Sequence, residues 1–189
     1  MIGVIDIGAH WGEEYESWVN HGAKNFLFIE PIKANYERLL DKFPQYPVLH
    51  LALANCTGES KMFVDTTHHN LSASLLKPCL HTEVYPDVLF DKIETVKVDK
   101  LDNIEYNRKL YDHVYLTAQG MELDILKGAE KSLKNIKTIT AEVFHKRLYE
   151  GSCLFEEVVE WLDDRGFDLM GIDVRNPHVW SYANFKRRI

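Results

Sequence analysis

Cysteine is scarce in this 189-residue chain, and the cysteines present do not form a recognisable pattern. Cys56, Cys79 and Cys153 are far apart, and no CxxC pair occurs. A sparse, odd-numbered set predicts free thiols rather than a disulfide framework or a structural zinc site. Because free thiols are typical of a reducing compartment, we expect a cytoplasmic protein.

Basic charge and long apolar runs are also in short supply. Lys and Arg number 22 against 29 Asp and Glu, a net charge of −7, whereas nucleic-acid backbone binders carry a basic face. No apolar run approaches the ~18 residues of a membrane span. Asp6 comes too early for the apolar core of a signal peptide. We therefore expect no nucleic-acid and no membrane partner.

The first third of the chain alternates between apolar runs and helix-like segments. The runs at residues 1–6, 25–31 and 47–53 predict buried strands, and the segments around Trp18 and Leu39 have helical spacing. A β-α-β-α-β order is typical of a parallel sheet with crossover helices.

The rest of the chain continues this alternation after a long polar loop. Two final runs, "FDLMGIDV" and "VWSYANF", follow each other without a helix, which predicts an antiparallel hairpin at one edge of the sheet. All elements suit one domain over residues 1–189, complete or part of a longer protein. Further strands are predicted at 59–65, 94–101, 113–118 and 138–144, and further helices at 121–133 and 154–165.

The stretch "DIGAHWG" places an acid at the end of the first strand and glycines at positions 8 and 12. Glycine lets a ligand approach the backbone, and the following helix N-terminus favours negative charge. The second strand ends in Glu30, where an acid typically binds ribose hydroxyls. The alternative is a tight turn beside a solvated acid. His10 replaces a glycine of the GxGxxG pattern, which weakens a nicotinamide or nucleotide-sugar reading.

Several segments together resemble one family. "VIDIGAHWG", "FIEP", "LALANCTGE", "NLSASLL", "VDKLDNI", "QGMELDILKGAE" and "AEVFHKRLYEG" occur in the order found in FkbM methyltransferases. The resemblance covers nearly the whole chain. It implies an α/β, Rossmann-like class I methyltransferase fold. This fold has a mostly parallel seven-stranded sheet of order 3-2-1-4-5-7-6, with helices on both faces.

The resemblance also implies a cofactor, S-adenosylmethionine, and an activity. Family members commonly methylate oxygen, often on sugars or natural products, so we expect O-methylation of a hydroxyl on a sugar or glycan acceptor. The positions that match cofactor-binding positions of the family are Asp6, Gly8, Ala9 and His10 for the methionine part, Glu30 and Pro31 for the ribose, Ala52 and Leu53 for the adenine, and Thr117 beside the methyl donor.

One position departs from the family pattern. After the fourth strand the family usually reads Ile-Asp-Val-Glu/Gln-Gly, whereas this chain reads Leu-Thr-Ala-Gln-Gly with Thr117 in place of the acid. Threonine cannot act as a base near neutral pH and is a poor metal ligand. A second hypothesis is therefore a module that binds the cofactor with little or no turnover.

Three other residues could supply the missing chemistry. Glu122, Glu142 and His145 are candidates for catalysis, either through a base such as His145 or as ligands of a divalent metal. Glu122 could instead be a helix N-terminal acid. Ser72, Ser74 and Tyr149 are expected to line the acceptor side of the pocket.

Overall fold

A seven-stranded sheet forms the centre of the computed structural model, which describes residues 1–188. β1, β2, β3, β7 and β8 pair in parallel, and β10 runs antiparallel to both of its neighbours, β8 and β9. The strands are β1 (Gly3–Ile7), β2 (Asn25–Ile29), β3 (Val48–Leu49), β4 (Ala52–Leu53), β5 (Gly58–Val64), β6 (Lys92–Asp99), β7 (His113–Leu116), β8 (Thr138–Phe144), β9 (Phe167–Asn176) and β10 (Trp180–Arg187).

The spatial order of the large sheet is β3-β2-β1-β7-β8-β10-β9. It differs from the predicted numbering because β4, β5 and β6 form a separate sheet of order β4-β6-β5. Without these three strands the order is 3-2-1-4-5-7-6, as the family resemblance implied. The predicted hairpin at the sheet edge is confirmed by the pairing of β9 with β10.

Helices flank the sheet on both faces. Successive strand side chains point to opposite faces, so Ile5 and Ile7 pack with the helices that follow β7 and β8, whereas Val4 packs with those that follow β1 and β2. The helices are α1 (Tyr15–Asn20), α2 (Lys33–Lys42), α3 (His81–Val84), α4 (Glu122–Lys127) and α5 (Phe155–Asp163).

Two predicted elements differ in the structure. The strand expected over 47–53 is split, because Val48–Leu49 pairs with β2 whereas Ala52–Leu53 pairs with β6 of the small sheet. The helix expected over 121–133 ends at Lys127. Gly128 follows it, where a Cβ would lie 2.4 Å from the carbonyl oxygen of Ala54. This close approach docks the end of α4 against the chain that leaves β4.

Among residues 1–188, no helix is long and apolar enough to cross a membrane.

Candidate active site

A cavity of about 640 Å³ opens at the carboxyl ends of β1, β2, β7 and β8, where ligands bind in open α/β sheets. Its volume is in the range of small-molecule and cofactor sites. The structure brings most of the predicted site residues to its wall: Asp6, Gly8, Ala9, His10, Glu30, Pro31, Ala52, Leu53, Ser72, Thr117 and Glu142.

Glu30 joins the ends of β1 and β2. One carboxylate oxygen accepts the backbone N–H of Ile32 at 2.8 Å, and the other accepts the backbone N–H of His10 at 2.9 Å. Burial raises the pKa of Glu30 to about 7, although these two hydrogen bonds oppose the shift. A carboxylate has about four acceptor sites, so Glu30 can still receive two donors such as the hydroxyls of a ribose.

The turn after β1 lies directly against the end of β7. Gly8 has a φ of +76°, and a Cβ there would lie 2.0 Å from the carbonyl oxygen of Thr117. Only glycine fits this approach. The Thr117 hydroxyl donates to the carbonyl oxygen of Gly8 at 3.2 Å. Thr117 therefore lies on the cavity wall and ties two strand ends together, a structural role for a residue that replaces an acid.

Asp6 is 2% exposed at the end of β1, and its Oδ1 has no hydrogen-bond partner among residues 1–188. Burial raises the pKa of Asp6 well above its usual range, and the nearby acids Glu13, Glu14 and Glu30 add to the shift. A buried acceptor without a donor is costly. This oxygen therefore marks a place for a cationic or hydrogen-bonding ligand group.

The His10 ring is already fully hydrogen-bonded. Its Nδ1 lies 2.5 Å from a carboxylate oxygen of Glu13, and its Nε2 lies 2.7 Å from the carbonyl oxygen of His69. Burial alone would lower the pKa of His10, but these two acceptors raise it. Both partners accept, so the imidazolium form satisfies both. His10 links the first turn to the loop of residues 66–78, part of which lines the cavity, and its ring has no nitrogen left for a ligand.

The cavity is strongly acidic. Glu13 and Glu14, which the sequence analysis did not single out, line it together with the predicted Asp6, Glu30 and Glu142, and no Lys or Arg lines it within residues 1–188. Burial raises the pKa values of Asp6, Glu30 and Glu142, and a cationic ligand group would stabilise their ionised forms. The site therefore favours a positively charged ligand group. Both acids belong to the "GEE" that immediately precedes α1, a pattern that is equally typical of a solvated helix start.

Another part of the same cavity wall is apolar. Ala52 and Leu53 line it, joined by Ile32, Met121 and Ile125. Ile32 and Ala52 also belong to the buried cluster of the small sheet. Such an apolar surface suits the flat face of an aromatic ring.

Glu142 lies near the end of β8, is 6% exposed and lines the cavity. Its Oε2 lies 2.8 Å from the side-chain amide nitrogen of Gln119. The amide oxygen of Gln119 in turn lies 2.8 Å from the hydroxyl of Tyr149. Burial raises the pKa of Glu142 to about 8, and the negative charge of Glu122 adds to the shift. Glu142 is thus a carboxyl that exchanges a proton close to neutral pH.

Two of the three predicted catalytic residues lie outside the cavity wall. The Glu122 carboxylate is fully buried and accepts the backbone N–H groups of Ala118 and Gly120 at 2.9 and 3.3 Å, so it holds the turn before α4. His145 Nε2 pairs with the Ser181 hydroxyl at 2.8 Å. Neither side chain lines the cavity, and a catalytic role for Glu122 and His145 stays a prediction.

The predicted metal set does not assemble either. Within residues 1–188, no group of three or more His, Cys, Asp or Glu side chains is placed to hold a metal ion. Glu122 and His145 are turned toward the partners described above, so they do not converge on Glu142.

Two of the three predicted acceptor residues are structural. Tyr149 is fully buried, and Ser74 is 1% exposed and donates to the backbone carbonyl oxygen of Gln119 at 2.8 Å. Neither lines the cavity, and only Ser72 of the three does. The reason is that the loop folds inward here, so that Ser74 holds the turn after β7.

Aromatic residues that the sequence analysis missed form the remaining wall. Tyr115, Tyr182 and Trp180 line it with Tyr85 and His81. The Trp180 and Tyr182 rings meet edge to face at 5.5 Å. Strand alternation could have placed Tyr115 and Tyr182 on one face. Their convergence on Glu142 depends on the β8–β10 register, in which Tyr182 lies opposite Glu142.

His81 adds a second titratable group to this wall. It is 3% exposed, and its Nδ1 has no partner among residues 1–188. Burial lowers the pKa of His81, which keeps its imidazole neutral.

Comparison with known proteins agrees with this geometry. The family model "Methyltransferase FkbM domain" matches residues 6–169. The chain belongs to the FkbM methyltransferase family. This FkbM methyltransferase is also 24% identical, over 170 residues, to the 2-O-methyltransferase NoeI of Sinorhizobium fredii (strain NBRC 101917 / NGR234), with 84% of this chain and 70% of that protein covered.

Solved structures share the fold of this FkbM methyltransferase. Magnesium protoporphyrin IX methyltransferase from Synechocystis PCC 6803, solved with bound S-adenosylmethionine, has a TM-score of 0.55 at 11% identity and covers 98% of this chain. An NADB-Rossmann superfamily protein from Streptococcus agalactiae has a TM-score of 0.52 at 12% identity and 98% coverage. This chain spans 69% of the first protein and 61% of the second.

The cavity of this FkbM methyltransferase fits S-adenosylmethionine, the methyl donor of such enzymes. The unpartnered Oδ1 of buried Asp6 needs a donor, and the acidic wall suits a ligand that carries a sulfonium and an ammonium. Glu30 has acceptor capacity left, and the Gly8 turn leaves no room for a side chain.

Proposed function

We propose that this enzyme methylates a hydroxyl oxygen of a neutral sugar or glycan, with Glu142 as the general base. The observation that supports this most is the position of Glu142. Its buried carboxyl lines the cavity opposite Tyr182 of β10, with a pKa raised to about 8. A base is most effective when its pKa lies near the working pH.

The mechanism consists mainly of alignment and removal of one proton. When bound, S-adenosylmethionine supplies an electrophilic methyl group. Asp6 and Glu30 would hold its ammonium and ribose. Glu142 accepts the proton of the acceptor hydroxyl as the oxygen–carbon bond forms. Tyr182 is less suited to this role, because burial raises its pKa to about 12 and so keeps its hydroxyl protonated near neutral pH.

The composition of the acceptor wall supports a neutral sugar. Aromatic rings such as Trp180 and Tyr182 offer flat apolar surfaces that pack on the C–H faces of sugar rings. Tyr85 accepts hydrogen bonds from Asn176 and Trp180, so its own proton is free to reach an acceptor. Carboxylates line the cavity without an Arg or Lys in residues 1–188, which disfavours phosphorylated acceptors and RNA.

Labelled methyl transfer tests the proposed acceptor class. Purified protein is incubated with methyl-labelled cofactor and, in separate reactions, with neutral oligosaccharides, sugar phosphates and transfer RNA, each with and without EDTA. We expect label in the neutral oligosaccharides and no effect of EDTA. Label confined to RNA or to phosphorylated sugars would contradict the proposal.

A second candidate function rests on Thr117. The usual acid is absent at this wall position, and the threonine hydroxyl is hydrogen-bonded to Gly8. A protein that binds the cofactor tightly but transfers no label to any acceptor would support a cofactor-binding module instead.

A further inference from the structure

The hydroxyl of Tyr149 has more acceptors than it has protons. It lies 2.8 Å from the backbone carbonyl oxygen of Ser72 and 2.8 Å from the side-chain oxygen of Gln119. A phenol has one proton to donate, and a backbone carbonyl can only accept. One of these two contacts therefore lacks a proton whenever the Gln119 amide points its oxygen at Tyr149.

Reversing the Gln119 amide resolves the conflict, provided that Glu142 is protonated. Tyr149 then donates to Ser72, the Gln119 amide nitrogen donates to the Tyr149 oxygen, and the Glu142 carboxyl donates to the Gln119 oxygen. Each of these three hydrogen bonds then has one donor and one acceptor. When Glu142 is ionised, the Gln119 nitrogen must face it, and the single Tyr149 proton then serves either the Gln119 oxygen or the Ser72 carbonyl, so one of the two lacks a donor.

We propose that Gln119 and Tyr149 form a reversible hydrogen-bond chain that positions Glu142, and that its direction follows the proton on Glu142. This inference rests on the proposed function, because it gives the proposed base a partner in both of its protonation states. In the reaction the acceptor O–H bond breaks and its proton moves to Glu142, while the acceptor oxygen would gain the methyl group that the sulfonium of the bound cofactor gives up. The Gln119 amide then turns, which changes no covalent bond.

The surroundings hold the chain in place. Gln119 has a left-handed φ of +51°, a conformation that costs energy for a non-glycine residue, and Ser74 donates to its backbone carbonyl oxygen. Tyr149 is fully buried between Phe144, His81 and Phe90. With both side chains held in this way, reversal requires only a half-turn of the Gln119 amide group about its last side-chain bond.

The chain also connects the base to the loop of residues 66–78. Ser72 belongs to that loop, and its backbone N–H donates to Asp65 at 2.8 Å. In the protonated state Tyr149 always donates to the Ser72 carbonyl, whereas in the ionised state this carbonyl competes with the Gln119 oxygen for the same proton. Proton uptake by Glu142 therefore fastens the loop. Two other titratable groups lie near enough to influence this proton: the charge of Glu122 from α4 raises the pKa of Glu142, and Glu142 in turn raises the pKa of Tyr182 from β10.

The variant Tyr149→Phe distinguishes the reversible hydrogen-bond chain from a fixed arrangement of the same side chains. If Tyr149 merely held Gln119 as a fixed donor to ionised Glu142, then Tyr149→Phe would raise the pKa of Glu142. In the reversible chain, the protonated state loses two hydrogen bonds and the ionised state loses one. The pKa of Glu142 should therefore fall, by about half to one unit.

Carbon-13 NMR of protein labelled at the Glu carboxyls measures this pKa without any acceptor. Glu142 is assigned by the signal that disappears in Glu142→Gln, and Tyr111→Phe is the control for a buried tyrosine remote from the cavity. A lower Glu142 pKa in Tyr149→Phe, with no change in Tyr111→Phe, is the expected result. An unchanged or raised pKa would overturn the reversible chain.

A second measurement uses the unaltered protein, in case Tyr149→Phe does not fold. The Gln119 side-chain amide signals should shift with the same pH midpoint as the Glu142 carboxyl. Gln119 amide signals that do not change over the pH range in which Glu142 titrates would overturn the proposal. Full turnover in Glu142→Gln would rule out Glu142 as the base. The hydrogen-bond chain would still be supported if the Gln119 amide signals of the unaltered protein follow the Glu142 titration.

Discussion

The carboxylate of Glu30 accepts the backbone N–H of His10 at 2.9 Å and so fixes the turn after β1 from the end of β2. The acid therefore does two things at once. It shapes the turn on which the methionine part of a cofactor would lie, and it keeps acceptor capacity for the ribose. Binding and turn geometry should respond together when it is changed.

Glu30→Gln should weaken cofactor binding about 10- to 100-fold. A glutamine offers one oxygen in place of two, so one of the two backbone N–H groups loses its acceptor, and a hydrogen bond to a charged group contributes about 1.5–3 kcal/mol. Isothermal titration calorimetry with S-adenosylmethionine measures the loss. The matched control is Glu37→Gln on the exposed side of α2. Equal affinities for both variants would refute the assignment of Glu30.

Asp6→Asn should separate binding from stability. The buried Oδ1 has no partner among residues 1–188, so removing the charge relieves a desolvation cost while deleting the proposed ammonium partner. We expect cofactor affinity to fall at least about 100-fold. The unfolding free energy of the ligand-free protein should stay equal or rise. Asp41→Asn, on the surface of α2, is the control. Retained affinity would show that the first turn is assigned wrongly.

Stability of the ligand-free protein should fall as pH rises from about 5 to above 8. Burial raises the pKa of Glu142 to about 8 and of Glu30 and Glu122 to about 7 in the folded protein, above the usual 4.5. The folded state thus binds more protons than the unfolded state in this window, and stability is lost as these groups ionise. Urea unfolding at several pH values measures it.

Glu142→Gln serves as the control for that pH dependence. At ~1.4 kcal/mol per pKa unit, Glu142 alone accounts for a few kcal/mol, so its variant should show a clearly shallower decline. Parallel declines in both proteins would mean that Glu142 titrates normally.

Thr117→Asp introduces the acid that is usual in the family, but we expect it to bring no gain in methyl transfer. The new carboxylate would break the hydrogen bond to Gly8 and add charge to a wall that already holds several acids. We expect turnover not to increase, and metal addition to have no effect. Labelled methyl transfer with and without Mg²⁺ or EDTA measures both. A gain in rate or a new metal requirement would show that the missing acid mattered.

Much of the fold followed from the sequence because the signals are local. Apolar runs that end at acids or glycines placed β1 and β2, and the absence of a helix between the last two runs placed the hairpin. The split of 47–53 between two sheets was not readable, because both halves are equally apolar and the choice depends on which strand lies beside them.

That Asp6, Gly8 and Glu30 meet at one cavity was likewise predictable, since they lie at or just after the ends of two strands. The acceptor half was not. Glu122 and His145 have the right chemistry and the right place in the chain, but their side chains face the turn before α4 and Ser181. Conversely, Gln119 and Tyr182 meet Glu142 through hydrogen bonding and strand register that spacing does not reveal.

The most direct test of the proposed chemistry compares Glu142→Gln with His145→Ala. Single-turnover methyl transfer to the best neutral oligosaccharide gives the rate, and calorimetry gives cofactor affinity. Glu142→Gln should slow transfer about 10²- to 10⁴-fold with cofactor affinity nearly unchanged, whereas His145→Ala should keep most of the rate. Full activity in Glu142→Gln, or loss confined to His145→Ala, would contradict Glu142 as the base.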